Sequence, residues 1–396
     1  MALSQAERQV ILLSAGIAAR RQDMREHAGG LMADVDWSRL AETLRLRRLL
    51  PALGPRILEL AEGQASDGFV AAVEQALEAG RRQGASLQLI SLRVMVMLAD
   101  VGIRSTPLKG SLLGEAIYGD PGRRLSSDID LLVAPEQLHA AVEVVRGLGY
   151  GAPTDHVDPS GLPQLHFLLV HERQKLPPVE LHWRVHCYER SFARERLLPP
   201  AEDPPGDWRP APADELVALL LFYARDGFID LRLATDLSAW WDVYGAELQP
   251  GALDELLRAY PALARVVRVA AKVAEKVVGL PTTQVFGDMR TLGVRDRIAM
   301  RLANPNPHTS QSQLYADIGL IDGLLAPPGG FGAFVRRRVL LPREVLDELD
   351  RRAPKRRARS YLGRGAGMLG RYLLTMTRLA LDPTKRCAEA GRFRPW

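Results

Sequence analysis

The chain has 396 residues, of which 47% are hydrophobic and 25% are charged, and its formal net charge is +5. These values are ordinary for a globular protein of two or three domains, and they exclude a largely disordered or fibrous chain. The apolar run from Val10 to Ala19 is about half as long as a membrane-spanning helix. Two cysteines, Cys187 and Cys387, supply neither a disulfide framework nor a CxxC metal motif. We therefore predict a cytoplasmic protein with no cleaved signal and no transmembrane segment.

Residues 1–98 are predicted to form an N-terminal helical region. Apolar side chains recur there at spacings of three and four residues, as in Leu40 and Leu44 and again in Phe69 and Val73. Glycine and proline residues mark the breaks between these helices.

The pattern changes at residue 99, and residues 99–196 alternate short apolar strands with helices. Strands are predicted at 103–108, 128–133, 165–170 and 179–185, and helices at 111–118 and 135–148. This alternation predicts the α+β class, with a small mixed-sheet core flanked by N-terminal and C-terminal helical regions.

Helical spacing resumes after a proline-rich segment. Residues 197–212 form this predicted linker, which we expect to be extended or irregular. A C-terminal helical domain is predicted at 213–330, where Leu216 and Leu220 belong to an apolar face. The remaining residues, 331–396, form a basic tail.

The positive charge of the protein is concentrated in this tail. From Arg336 to Trp396 there are 17 Lys and Arg residues against 6 Asp and Glu residues, a local charge of +11, so the preceding residues sum to −6. A run of this kind either meets an anionic partner, such as nucleic acid, a membrane surface or an acidic protein, or forms a solvated helix face.

Two acidic side chains and a glycine turn carry the strongest functional signal. Asp128 and Asp130 belong to a predicted strand, where side chains two positions apart project to the same side. Two carboxylates on one strand edge suit Mg²⁺, which binds carboxylates together with substrate phosphates. Upstream, Gly110 and Ser111 lie where a strand passes into a helix, and the free N–H groups of a helix N-terminus bind phosphate. The combination predicts a triphosphate site beside a metal site.

This combination resembles the DNA polymerase β-like nucleotidyltransferase superfamily, whose signature places Gly-Ser, a spacer and an acid-hydrophobic-acid strand in this order. The chain is most similar to the bacterial uncharacterised nucleotidyltransferase family proteins. Their Leu-Lys-Gly element, their Arg before the acid pair and their acid-hydrophobic-His-Trp strand correspond to Leu108-Lys109-Gly110, Arg124 and Glu180-Leu181-His182-Trp183. The resemblance covers roughly residues 37–290.

The resemblance implies Mg²⁺-dependent transfer of NMP from an NTP to a hydroxyl group of an unidentified small molecule, peptide or protein, with release of pyrophosphate. It implies that Asp128, Asp130 and Glu180 are the catalytic acids and hold two Mg²⁺ ions, which Mn²⁺ can replace. The nucleotide-binding residues that it implies are Lys109, Gly110, Ser111, Arg124 and His182.

The predicted C-terminal helical domain contains a group of charged residues among its apolar ones. These residues are Arg225, Asp226, Asp230, Arg232 and Asp236. Related family members carry a His near the first position and an Asp near the last, which implies that this domain closes over the nucleotide. Taken by themselves, such residues more often form a surface network of ion pairs, and we expect that arrangement for most of them.

Two alternatives to an active nucleotidyltransferase remain open. In the first, Glu180 is an inadequate third metal ligand, because it has one more methylene than the Asp that is usual at this position. The protein would then be a catalytically weak nucleotide-binding or scaffold protein of the same fold. In the second, the basic tail makes the chain an RNA-binding or RNA-modifying protein. Binding of the tail to phosphates would weaken steeply with added salt, which separates the second alternative from the first.

Overall fold

Most of the chain is described by the computed structural model. Apart from five isolated positions after residue 331, the described residues are 3–153, 164–200, 208–286, 292–303 and 311–330. Part of the predicted linker, 201–207, and nearly all of the basic tail lie outside the described residues. The anionic partner of the tail therefore remains a prediction.

Helices form the region that precedes the sheet. Within residues 3–100 they are α1 (Gln5–Ala15), α2 (Ala18–Asp23), α3 (Arg25–Met32), α4 (Trp37–Leu46), α5 (Leu50–Ala61) and α6 (Asp67–Asp100). Side-chain caps define three of these helix starts. The hydroxyls of Ser4 and Ser66 accept hydrogen bonds from the backbone N–H groups of Glu7 and Phe69, and the carboxylate of Asp36 accepts one from that of Arg39.

One face of α6 lies directly against the loop that leads into the acid pair. A Cβ atom on Gly80 would stand 2.2 Å from the carbonyl oxygen of Gly122, and one on Gly84 would stand 2.9 Å from that of Pro121. Only glycine allows two backbones to approach so closely. The long helix therefore fixes the position of this loop.

A four-stranded mixed sheet forms the centre of the fold. Its strands and the two helices between them are β1 (Ser105–Pro107), α7 (Ser111–Tyr118), β2 (Ile129–Val133), α8 (Leu138–Gly147), β3 (His166–Leu169) and β4 (Val179–His182). The strand order is β1-β2-β4-β3, with β2 and β4 parallel and the two outer strands antiparallel to their neighbours. This sheet and its flanking helices confirm the predicted α+β class with a small mixed-sheet core.

All four predicted strands are shorter in the structure, and hydrogen bonds explain the shortening of two of them. Asp128 lies in a bend just before β2, because the hydroxyl of Ser126 donates to its backbone oxygen at 3.2 Å and to its carboxylate at 2.8 Å. Residues 103 and 104 lie outside β1, because the N–H of Ile103 bonds back to the carbonyl of Leu98 at the end of α6, at 2.9 Å.

Helices also follow the sheet. Among the described residues they are α9 (Pro212–Arg225), α10 (Leu231–Tyr244), α11 (Ala252–Ala259), α12 (Ala264–Val278), α13 (Thr282–Val285), α14 (Val294–Leu302) and α15 (Gln311–Leu325). The middle of α9 is buried on all sides, and α12 packs against both α9 and α1, so helices from both ends of the chain share one hydrophobic core. None of the described helices has the length and apolar character needed to cross a membrane.

The two faces of the sheet have different surroundings. Ile129, Leu131 and Val133 pack with side chains of α6 and α8 in a separate apolar cluster. Asp130 and Leu132 project to the other face, where Leu132 joins the core of the helical regions. The acidic side chain of β2 therefore faces the helices and not the apolar cluster.

Candidate active site

Three carboxylates meet on the helix-facing side of the sheet. Asp130 and Glu180 are direct register partners on the parallel strands β2 and β4, and Asp128 precedes Asp130 by two residues. One oxygen from each of the three lies within 4.8 Å of the others. Asp130 is 2% exposed, whereas Asp128 and Glu180 are partly exposed, so the group opens toward solvent at one side.

Asp130 is the electrostatic centre of the group. Its Oδ1 accepts from the ammonium of Lys109 at 2.9 Å and lies 3.0 Å from Nε2 of His182. Burial raises the pKa of Asp130, but the charge of Lys109 and the hydrogen bond from His182 lower it by more, so the pKa lies well below its usual range. Its Oδ2 is buried and has no hydrogen-bond partner among the residues that the structure describes. The carboxylate is therefore ionised and keeps one oxygen available for a further ligand.

His182 connects two of the three carboxylates. Its ring is fully buried, and Nε2 lies 3.2 Å from Oε2 of Glu180 as well as close to Asp130. Because both neighbours are carboxylate oxygens, Nε2 carries the proton and donates to them. The same ring makes an edge contact with Phe222 of α9, at 6.3 Å between centroids. These contacts fix the orientation of the two acids, and they favour a positioning role for His182 over direct contact with a nucleotide.

A second histidine, His166 of β3, lies beside His182 and Glu180. It pairs in register with His182, and the two ring centroids are 4.7 Å apart. Its Nε2 lies 3.7 Å from Oε2 of Glu180, and Arg225 of α9 approaches its Nδ1 at 3.4 Å. Burial and the neighbouring His182 lower the pKa of His166 to about 4, so its ring is neutral at pH 7. His166 was not among the predicted site residues, because no local motif marks it and only the register of β3 brings it here.

The three predicted residues of the glycine turn occupy different positions. Lys109 lines the open side of the group, where burial lowers the pKa of its ammonium and the three carboxylates raise it by more. Gly110 immediately precedes α7 at φ +91° and ψ −153°, a conformation open essentially only to glycine. Gly110 and Ser111 are both buried behind Lys109, at the end of α7 where backbone N–H groups have no intrahelical acceptor.

Arg124 is held by an aspartate from the helical region. Its Nε donates to Oδ2 of Asp236 at 2.8 Å, and the hydroxyl of Tyr118 donates to the other oxygen at 3.0 Å. Asp236 is 2% exposed, so it does not belong to the surface network that was expected for most of these residues. The reason is the packing of α10 against α7, which turns Asp236 inward. The pair ties the helical region to the loop before β2.

A cleft opens beside the carboxylates and takes its wall from three parts of the chain. Lys109 and Asp128 come from the core, Phe222 and Arg232 come from α9 and α10, and Arg48 comes from the N-terminal helices. Arg232 forms an ion pair with Asp230, with 2.7 Å between Nη2 and Oδ2, as expected for an ion-pair network. The cleft combines basic side chains with the exposed edge of the acid group, which is the balance that a magnesium-bound polyphosphate requires.

Comparison with protein families agrees with this arrangement. A family model described as an uncharacterised nucleotidyltransferase matches residues 33–279, which is more than half of the chain. The match begins just after α3 and ends just after α12, so it includes the sheet and helices on both sides of it. Searches of the curated proteins and of the solved structures gave no match. The chain therefore belongs to this family of uncharacterised nucleotidyltransferases.

Proposed function

We propose that the protein is a Mg²⁺-dependent nucleotidyltransferase of the DNA polymerase β-like type, which transfers NMP from an NTP to a hydroxyl group of an acceptor. The observation that carries this proposal is the group formed by Asp128, Asp130 and Glu180, in which a buried oxygen of Asp130 has no partner among the described residues. The family match supports the reaction class, and the resemblance of the acid pair to the superfamily supports the roles of the individual residues.

The residues present fit a hard divalent cation. Mg²⁺ takes oxygen ligands, and a magnesium site in such enzymes is completed by substrate phosphates. One oxygen of Glu180 lies within 4.8 Å of an oxygen of each of the other two acids, despite its additional methylene, which supports a place for Glu180 in the same metal site. When bound by these carboxylates, divalent cations would neutralise triphosphate charge and lower the pKa of the acceptor hydroxyl.

The side chains of the protein contribute position and charge. His182 holds Asp130 and Glu180 in fixed orientations, because its fully buried ring contacts an oxygen of each. Lys109 keeps Asp130 ionised and places a positive charge at the cleft, where it neutralises part of a bound phosphate chain. Gly110, which allows the turn into α7, directly follows Lys109.

The proposed reaction is an in-line displacement. The acceptor oxygen forms a bond to the α-phosphorus, the bond from that phosphorus to the bridging oxygen breaks, and pyrophosphate leaves. The hydroxyl proton passes to solvent as the new phosphodiester bond forms. Holding the acceptor oxygen and the α-phosphorus in contact, in a site that neutralises the growing charge, supplies most of the rate enhancement of this reaction class.

Transfer of labelled nucleotide tests the proposal. The protein is incubated with cell lysate, Mg²⁺ or Mn²⁺, and each NTP labelled either at the α-phosphate or at the γ-phosphate. Relative to lysate without the protein, we expect additional label in an acceptor from the α-position and no additional label from the γ-position, because pyrophosphate leaves. The exposed Asp34 supplies the matched control, and Asp34→Asn should transfer as the wild type does.

Two outcomes would overturn parts of the proposal. Transfer that persists in the double variant Asp128→Asn/Asp130→Asn would remove these residues from the active site. Absence of transfer with every NTP and both metals would favour the nucleotide-binding scaffold over the enzyme.

A further inference from the structure

The cleft wall contains an arginine that no motif identifies. We propose that Arg48, which follows α4 in the N-terminal helical region, binds the triphosphate of the nucleotide substrate. The inference rests on the proposed function, because it assigns a residue to the nucleotide of that reaction. It also gives the N-terminal helices a direct part in substrate binding.

The charge of Arg48 lies beside the residues that lead into the acid pair. Its Nη1 lies 3.4 Å from the hydroxyl of Ser127, the residue that directly precedes Asp128. Ser126, one residue earlier, is the nearest neighbour that a Cβ on Gly110 would meet, at 3.8 Å. The guanidinium of Arg48 therefore lies in the wall of the cleft, beside the residues that lead into the acid pair.

Arg48 is exposed, whereas the other five basic side chains of the wall are partly buried. Three of those five pair with carboxylates, in the pairs Lys109–Asp130, Arg124–Asp236 and Arg232–Asp230, while Arg123 donates to the carbonyl oxygen of Ala52 and Arg225 approaches His166. Among the described residues, Arg48 has the Ser127 hydroxyl as its hydrogen-bond partner and no carboxylate within ion-pair distance. Its charge is exposed and is available to a phosphate, for which the planar guanidinium offers paired donors.

The backbone at Arg48 supplies a second argument. The residue has φ +57°, and the N–H of Leu49 bonds to the carbonyl of Leu44 at 2.8 Å, so the end of α4 closes as a Schellman motif. The left-handed position of this motif is usually glycine, because a Cβ is strained there. An arginine at this position is unfavourable for the helix end, which fits a side chain that is used for binding.

The left-handed backbone at Arg48 allows substitutions that remove its charge without destabilising the fold. Replacement by glycine or asparagine removes the charge and relieves or tolerates the left-handed backbone, so Arg48→Gly and Arg48→Asn should unfold at the wild-type temperature or above it. The control is Arg45→Gln, because Arg45 is an exposed arginine in the last turn of α4 that pairs with Glu42 and does not line the cleft.

Binding to the full chain is measured by calorimetry with an α,β-methylene NTP, with pyrophosphate, and with the corresponding nucleoside. We expect both Arg48 variants to bind the triphosphate analogue and pyrophosphate about tenfold more weakly than the wild type, because each variant loses one charge-assisted hydrogen bond to phosphate. Nucleoside binding should be unchanged, and Arg45→Gln should match the wild type for every ligand.

The outcomes separate this inference from the proposed function. Wild-type affinity for the triphosphate analogue in both Arg48 variants would overturn the assignment of Arg48 alone. Failure of the wild-type protein to bind any of the phosphate ligands would overturn the proposed function, and the assignment of Arg48 with it. Equal weakening by Arg45→Gln would show a general effect of surface charge and would also overturn the assignment.

Discussion

Replacing Asp130 and Asp128 separately by asparagine should have different effects on stability and the same effect on activity. Asp130→Asn keeps the size of the side chain but removes the charge that Lys109 contacts at 2.9 Å and His182 at 3.0 Å. Asp128 is partly exposed and accepts from Ser126, and an asparagine oxygen can still accept that bond.

The structure sets the size of each effect. Breaking a fully buried ion pair costs about 3–5 kcal/mol, but water reaches Lys109, whose side chain is 25% exposed, so we expect about 2 kcal/mol for Asp130→Asn. Relief of repulsion from Asp128 and Glu180 acts in the opposite direction, yet the low pKa of Asp130 shows that attraction is the larger effect. Asp128→Asn should change the free energy of unfolding by less than about 0.5 kcal/mol.

Urea unfolding as a function of pH measures this difference. Because folding lowers the pKa of Asp130, its contribution is present above the unfolded pKa of about 4 and is lost as the pH falls further below that value. The stability difference between the wild type and Asp130→Asn should therefore shrink in acid. If Asp130→Asn is as stable as Asp128→Asn at pH 7, the pairing described for Asp130 is wrong. Transfer of label should be lost in both variants.

Three further predictions concern the turn, the link to the helical region and a buried acid. Gly110→Ala forces a side chain into φ +91° and should cost about 1–3 kcal/mol in urea unfolding while weakening transfer. Asp236→Ala leaves the nearly buried Arg124 without its partner and should cost about 3 kcal/mol, measured in the same way. Burial raises the pKa of Glu189 to about 7. The stability of the wild type relative to Glu189→Gln should therefore fall by about 3 kcal/mol as the pH rises from 4.5 to 7, and thermal unfolding measures this change.

Matched controls distinguish these effects from general destabilisation. Gly251 has φ +77° and open space around it, so Gly251→Ala should lose stability without any change in transfer. Asp254 pairs with Arg268 at a partly exposed site, and Asp254→Ala should cost less than Asp236→Ala. A stability difference between the wild type and Glu189→Gln that is the same at pH 5 and pH 8 would contradict the burial of an acid with a raised pKa.

Local periodicity was sufficient to predict part of the site. Alternation along a strand depends on neighbouring residues only, so the sequence placed Glu180 and His182 on one side, and the structure has them 3.2 Å apart. The fold class was predictable for the same reason, because short strands alternate with helices in the core. The roles of the predicted site residues remain proposals.

The parts that could not be predicted depend on contacts between distant segments. His166 reaches the site through the register of β3 on β4, and Asp236 turns inward because α10 packs on α7. Arg48 enters the cleft wall from a helix end 80 residues before Asp128, a contact that neither composition nor spacing encodes. Long-range packing sets each of these positions, and a single sequence carries no local signal for it.

Binding of Mn²⁺ is the measurement that tests the central claim most directly, because the claim is that Asp128, Asp130 and Glu180 hold a divalent cation beside a nucleotide. Electron paramagnetic resonance counts free and bound Mn²⁺ during a titration of the protein with an α,β-methylene NTP present. The wild type should bind Mn²⁺, and Asp128→Asn, which should fold as the wild type does, should bind it at least about tenfold more weakly. Equal Mn²⁺ affinity in the wild type and Asp128→Asn would contradict the account.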